Sequence, residues 1–261
     1  MTAVSQWDPG QYERFAAERA APFFDLLQLI EPVEAPRVVD LGCGTGALTV
    51  HAQRKLGARE TIGVDNSSAM LARALDLHAD GVTFHHGDIT SFVGDGSFDI
   101  VLSNAALQWL PDHEAVLARW ADALSDEGQL AVQLPANADH PSHIVAAELA
   151  NESPFVEAFH GDPPPDPTSR VLAPETYAEI LDSLGFGRQH VRLQVYPHHL
   201  ESSADVVEWV KGTSLTRIKS RLSPALYDEF VGRYTERLVA RIGDKHPYLY
   251  TFKRILFWAR R

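Results

Sequence analysis

The sequence predicts an α/β fold, a doubly wound and mostly parallel sheet of seven strands with helical cap insertions. Three observations point there. Short β-branched runs alternate with helical stretches between residues 37 and 134, and the first run ends in a glycine-rich turn. Beyond Pro135 the alternation loosens into polar, helical segments.

Taken in order, Trp7 to Ile30 carries apolar residues at helical spacing, and Pro22 divides them into two short helices. Arg37 to Leu41 is the first strand, followed by a helix from about Ala47 to Leu56. Glu60 to Val64, Val82 to His86 and Phe98 to Leu102 are the next strands, with helices over Ser67 to Ala79 and Glu114 to Leu124. Gln129 to Leu134 is a fifth strand. His160 to Pro167, rich in proline and aspartate, is a loop, and Pro174 to Leu184 is a helix closed by Gly185. His190 to Tyr196 is a strand, Ala204 to Gly243 is mostly helical, and Tyr248 to Ala259 is a buried, aromatic last strand. A single domain over 1–261 is expected, with its cap drawn from about 136–175 and 203–247.

The net charge of −12 argues against nucleic acid and anionic membranes as partners, since both draw on a basic footprint. No apolar run reaches the roughly 18 residues that a membrane span needs. Met1 to Gly10 has no basic segment followed by an apolar one, so no export signal is expected. Cys43 is the single cysteine, which suits a reducing cytoplasm. The sequence sets no oligomeric state. A small anionic substrate would need positive charge supplied locally by its pocket.

Val38-Val39-Asp40-Leu41-Gly42-Cys43-Gly44-Thr45-Gly46 is a strand running into a tight turn. Glycine permits positive φ and lets a ligand approach the main chain. In a doubly wound sheet this turn lies at the carboxyl edge, where ligands bind. Asp40 beside it would repel a pyrophosphate and suits a ligand with an amino cation. That favours an aminoacyl sulfonium, S-adenosylmethionine, over a dinucleotide. Asp65 ends the second strand and can accept from both ribose hydroxyls, with Asn66 beside it, or can cap the helix near Ser67. Asp88 after the third strand suits an adenine amine, with Ile89 and Met70 covering the ring, or is a turn residue beside Gly87. Asn104 sits at the mouth of the fourth strand, where cofactor and substrate meet, or satisfies a loop backbone.

These positions follow four successive strands in the order used by the class I methyltransferases, whose Rossmann-like fold the chain resembles over residues 37 to 134. Further segments resemble one family among them, the trans-aconitate 2-methyltransferases. They are Trp7-Asp8-Pro9-x-x-Tyr12-x-x-Phe15-Ala16-x-Glu18-Arg19, Asn104-Ala105-Ala106-Leu107-Gln108-Trp109, Ala131-Val132-Gln133-Leu134-Pro135, Tyr196-Pro197-His198 and Phe252-x-Arg254-Ile255-Leu256. The match frays at 155–172 and 211–247.

The resemblance implies methyl transfer from S-adenosylmethionine to a carboxylate of a small tricarboxylic acid, with no certain catalytic residue beyond proximity. An ionised carboxylate needs no general base, so alignment and exclusion of water carry the reaction. It further implies that Trp7, Tyr12 and Arg19 cover the cofactor, with Tyr12 or Arg19 near its carboxylate. Trp109 and Gln133 would lie under the transferred methyl, and Tyr196, His198 and Arg254 would bind substrate. Arg170, Arg217, Lys219 and Arg221 are further cations for an acid, or a solvated helix face. His140 and His143 have helical spacing for a metal, but no cysteine or matched acidic partner stands nearby, so no metal is expected. Another small carboxylic acid or natural product would suit the same cofactor site. An NAD-linked oxidoreductase is disfavoured by Asp40, and a protein that only binds S-adenosylmethionine would show the same cofactor residues.

Overall fold

The computed structural model describes residues 16–261, with side chains from residue 20 on. Trp7, Tyr12 and the Arg19 side chain therefore lie outside the described residues. In chain order the main elements are α1 (Ala16–Leu27), β1 (Arg37–Leu41), α2 (Ala47–Leu56), β2 (Glu60–Asp65), α3 (Ser68–Leu75), β3 (Val82–His86) and β4 (Phe98–Asn104). A 3-10 turn (Leu107–Trp109) leads to α4 (His113–Asp122), β5 (Leu124–Pro135), α5 (Pro141–Ala150) and α6 (Phe155–Ala158). Then come α7 (Pro174–Ser183), β6 (Arg188–Leu200), α8 (Asp205–Lys211), α9 (Thr216–Lys219), α10 (Pro224–Ile242) and β7 (Tyr248–Arg260).

The seven strands form one sheet in the order β3-β2-β1-β4-β5-β7-β6. Pairing is parallel from β3 to β5, and β7 runs antiparallel to β5. Chain order reverses between β1 and β4, which opens the ligand crevice of a doubly wound sheet at their carboxyl ends. Val38, Val39, Ile100, Val101, Leu130, Ala131 and Val132 have no exposed surface. Strands covered on both faces in this way read as continuous apolar runs, which is why the sequence pattern marks them so clearly.

The chain divides into two compact units. The sheet unit comprises Arg19–Pro135, Arg170–Gln194 and Arg254–Arg261, and the helical unit includes Ala136–Ser169 and Val195–Lys253. The helical unit has its own aromatic core, in which Trp209, Phe155, Phe230 and Tyr234 are almost fully buried with Tyr250 and Phe252.

Three sequence expectations need correction. Pro22 does not divide α1; it sits inside one continuous helix. Loss of one backbone hydrogen bond there is outweighed by burial of Phe23, Leu26 and Leu27 on the same helix. Strands β5 and β6 are each longer than their apolar runs, because Leu124 already pairs with Phe98 ahead of Gln129 and because polar His198 and His199 continue β6.

The third correction concerns His143, which does have an acidic partner. Its Nδ1 lies 2.8 Å from Oδ2 of Asp166, and the Arg217 guanidinium donates to the same oxygen at 3.2 Å. Thr168 occupies Oδ1 through both its hydroxyl and its backbone N–H. Arg217 is thus buried on structural partners, with a second bond to the Pro164 carbonyl at 2.8 Å, and is not a solvated cation.

Burial alone would raise the Asp166 carboxyl, but the His143 ring, the Arg217 charge and the Thr168 bonds hold it well below the usual carboxylate range. A depressed folded value stabilises the unit above the ordinary carboxylate pKa, and that contribution is lost as pH falls below about 4. Asp166→Asn should remove this acid sensitivity. It should also destabilise the protein at pH 7 by about 3–5 kcal/mol in urea unfolding, since it leaves Arg217 buried without its counter-charge. An unchanged midpoint would refute the ion pair's role.

Candidate active site

The glycine turn after β1 is anchored by the end of β2. The Gly42 and Cys43 N–H groups both donate to the Val64 carbonyl, at 2.8 and 3.1 Å. The Gly44 N–H donates to Asp65 Oδ2 at 2.9 Å, and the Gly46 N–H to the Cys43 carbonyl at 3.0 Å. A pyrophosphate cradle needs such donors turned toward the ligand; these are satisfied by the chain itself. At Gly42, with φ +89, a Cβ would fall 2.3 Å from the Ala106 Cβ. At Gly44, with φ +56, a Cβ would meet nothing within 4 Å. Gly42 is therefore small for internal packing, while Gly44 leaves the main chain open to a ligand.

Asp40, one residue before the end of β1, is buried. Its Oδ2 accepts the Thr49 hydroxyl at 2.6 Å, whereas its Oδ1 is buried and accepts no hydrogen bond from the described residues. Burial raises its pKa to about 7 against the Thr49 bond, with the Asp65 charge pushing the same way. A buried carboxylate with an open acceptor fits an ammonium group and not a phosphate. Thr49 is a functional partner that sequence reading missed, and its one signal is its place on the helix that the glycine turn introduces. The Cys43 thiol is pushed far up by burial, then by Asp40 and Asp65, so it packs and does not attack.

Asp65 braces the residues on either side of the site. Oδ2 holds the glycine turn and Oδ1 takes the Ser67 N–H at 2.8 Å, while Ser67 itself caps α3 through the Met70 N–H. Each carboxylate oxygen keeps a further lone pair for a hydroxyl donor. Asn66 is exposed, and its carbonyl meets the His86 ring at 3.1 Å. Asp88 closes its own turn, its Oδ1 accepting from the Thr90 N–H and hydroxyl at 2.8 and 2.7 Å. Ile89 is buried beside it, and Met70 is half-buried at the start of α3.

At the mouth of β4, Asn104 Oδ1 accepts from Gln133 Nε2 at 3.0 Å, and Gln133 Oε1 accepts from Arg254 at 3.2 Å. Gln133 and Arg254 are both buried. Trp109 is half-buried on the 3-10 turn after β4, and its carbonyl accepts from Arg170 at 3.1 Å. Tyr196 and His198 belong to the helical unit, where Tyr196 is buried and the His198 ring lies 5.0 Å from Trp209.

A doubly wound sheet whose glycine turn spends its N–H groups on the chain itself, and whose carboxyl edge presents Asp40, Asp65, Asp88 and Asn104, defines an S-adenosylmethionine-dependent methyltransferase. A family model described as a methyltransferase domain matches residues 38–128. A Deinococcus radiodurans protein named trans-aconitate 2-methyltransferase is 41% identical over 256 residues, covering 98% of each chain. A Mycobacterium protein of the same name is 35% identical over 260 residues, covering 97% of this chain and 99% of that one. Among solved structures, Bacillus subtilis YcgJ superposes with a TM-score of 0.62 at 17% identity, covering 92% and 97% of the two chains. That likeness concerns the fold. The chain belongs to the trans-aconitate 2-methyltransferase family, as its Trp7 and Trp109 segments led us to expect.

Two outcomes test the cofactor residues. Asp65→Ala should weaken S-adenosylhomocysteine binding by about 1–3 kcal/mol in calorimetry, through lost hydroxyl partners and a loosened turn; unchanged affinity would refute both. Asp40 titrates near 7, and its ionised form is the one that pairs with an ammonium. Affinity should therefore fall as pH drops below 7, by up to about tenfold per unit, and Asp40→Asn should flatten the profile. The raised pKa also means that ionising Asp40 costs stability between the ordinary carboxylate range and pH 7. The same variant should accordingly melt higher at pH 8 without ligand.

Proposed function

We propose that the protein transfers the methyl group of S-adenosylmethionine to a carboxylate of trans-aconitate, giving a monomethyl ester. The observation that carries this is the likeness over nearly the full chain to proteins of that name, which extends through the segments outside the cofactor turn. Bound at the glycine turn, the cofactor supplies an electrophilic methyl on a sulfonium. Asp40 holds its ammonium, Asp65 and Asn66 its ribose, and Asp88 its adenine amine, with Met70 and Ile89 against the ring. Gly42 and Gly44 let the main chain come close. Tyr12 or Arg19 would bind the cofactor carboxylate, with Trp7 as part of the same cover.

The acceptor oxygen is already ionised at neutral pH, so the protein has no proton to remove. Its work is to align the oxygen with the methyl group, to exclude water and to hold the acid. At the mouth of β4, Trp109 shields the reacting atoms and Asn104 holds the acid, with buried Arg254 behind Asn104 through Gln133. Buried Cys43 as the single cysteine suits the cytoplasm, where such acids are dissolved metabolites.

The test is incubation with methyl-labelled S-adenosylmethionine and a panel of di- and tricarboxylic acids. Label should enter trans-aconitate and be released by mild alkali, as a methyl ester requires. Label in a base-stable product, or in none of the acids, would overturn the assignment. Preference for another acid of the panel would keep the reaction and move the substrate.

A further inference from the structure

A row of three polar side chains crosses adjacent strands at the carboxyl edge of the sheet unit. Asn104 on β4 is in register with Gln133 on β5, and Arg254 on β7 is the diagonal neighbour of Gln133, opposite Pro135. Side chains so placed share one face of the sheet and can touch.

Their chemistry gives the row a direction. A guanidinium has only donors, so Gln133 must turn its Oε1 toward Arg254, and does so at 3.2 Å. Its Nε2 then faces Asn104 and demands an acceptor, which is Oδ1 at 3.0 Å. The Asn104 N–H2 group is thereby directed away from the row, and it makes no hydrogen bond among the described residues. A reversed Gln133 would set N–H2 against the guanidinium in a buried place, at the cost of an unmade bond on each side.

Gln129 provides the contrast. It lies four residues earlier on the same strand and the same face, yet its amide oxygen accepts from Trp258 and the Glu31 N–H and its amide nitrogen donates to the Glu31 carbonyl. Only the Gln133 row ends on a half-exposed residue at the strand mouth.

We propose that Arg254 and Gln133 are positioning residues that lock the Asn104 amide with its N–H2 group outward, as a donor for a carboxylate of the acceptor acid. This rests on the carboxylate reading of the substrate. The donor holds the acid in ground state and transition state alike, so its loss acts on KM and not on kcat.

Gln133→Glu tests the relay. The glutamate keeps its pairing with Arg254 but has no N–H, so Asn104 must turn its N–H2 inward and present oxygen to the acid. The KM for trans-aconitate should rise about 10- to 100-fold, the range for losing a hydrogen bond to a charged group, with kcat and S-adenosylhomocysteine affinity unchanged. Asn104→Ala should raise KM comparably, and in that background Gln133→Glu should add nothing. Additive effects would mean that Gln133 acts only as sheet packing and would overturn the relay. Asn104→Asp leaves the buried pair intact and presents an oxygen outward; an unchanged KM there would also overturn it.

A readout without substrate separates this from the functional assignment. In the ligand-free protein, a through-hydrogen-bond NMR coupling should link Gln133 Nε2 to Asn104 Cγ, and its absence would refute the orientation. Failure of the wild-type protein to esterify any acid would sink the proposed function, while the coupling would still decide how Asn104 is held.

Discussion

Two oxygens at the end of β2, the Val64 carbonyl and Asp65 Oδ2, hold the glycine turn in shape, and the cofactor site depends on that hold. The hold is a matter of register. Leu41 pairs with Val64, so the first residues past β1 meet the last residues of β2. A slip of one residue would turn Asp65 to the other face and free the turn. With the register kept, the N–H groups of Gly42, Cys43 and Gly44 point into the protein, and the open space at Gly44 lies over bare main chain. The same contact thus stiffens the turn before a ligand arrives and withdraws those three N–H groups from any anion lying against the turn. Asp65 can still meet a ligand because a carboxylate has about four acceptor positions, and the Gly44 and Ser67 N–H groups use two.

Asp40, which is buried, and Asp166, which is half-buried, are the same residue with opposite fates. Asp166 is met on every side by donors of its own chain, and its charge is held far more firmly than in water. Asp40 has one hydroxyl and a neighbouring negative charge, and burial makes its ionised form costly. A completed set of partners marks a structural ion pair, and an incomplete one marks a place where a ligand finishes the set. In the helical unit a buried cluster ties Asp166 to α5 and α9 through His143 and Arg217; in the sheet unit the strain is kept at the edge of β1, where binding relieves it.

The strands and their polar ends were legible because buried parallel strands repeat a simple pattern and place their carboxyl ends at predictable positions. Asp40, Asp65, Asp88 and Asn104 could be read from that alone. What stayed hidden depends on contacts between residues far apart in sequence. His143 finds Asp166 twenty-three positions away, across a proline-rich loop with no periodicity to follow. Arg254 was visible as a cation in a motif, but its bond to Gln133, 121 residues earlier, is set by the antiparallel register of β5 and β7. Pro22 misled for the opposite reason, since a local rule was applied where buried Phe23, Leu26 and Leu27 decided the outcome.

Electrostatics gives a reason for placing the cation behind two amides. The cofactor's ammonium and sulfonium are positive, and the acceptor acid is negative, in a chain whose own net charge is −12. A guanidinium at the strand mouth would attract the acid, but it would also lie beside the sulfonium and compete for Asp40 and Asp65. At about 4 Å, two like charges near a protein surface repel by roughly 4 kcal/mol. Set back by two hydrogen bonds, Arg254 imposes direction on Gln133 and Asn104 without bringing its full charge to the reacting centre. A neutral amide so oriented attracts a carboxylate and leaves the sulfonium almost unaffected. A reaction between a cationic donor and an anionic acceptor is best served by local dipoles of fixed orientation, and the row across β4, β5 and β7 supplies one.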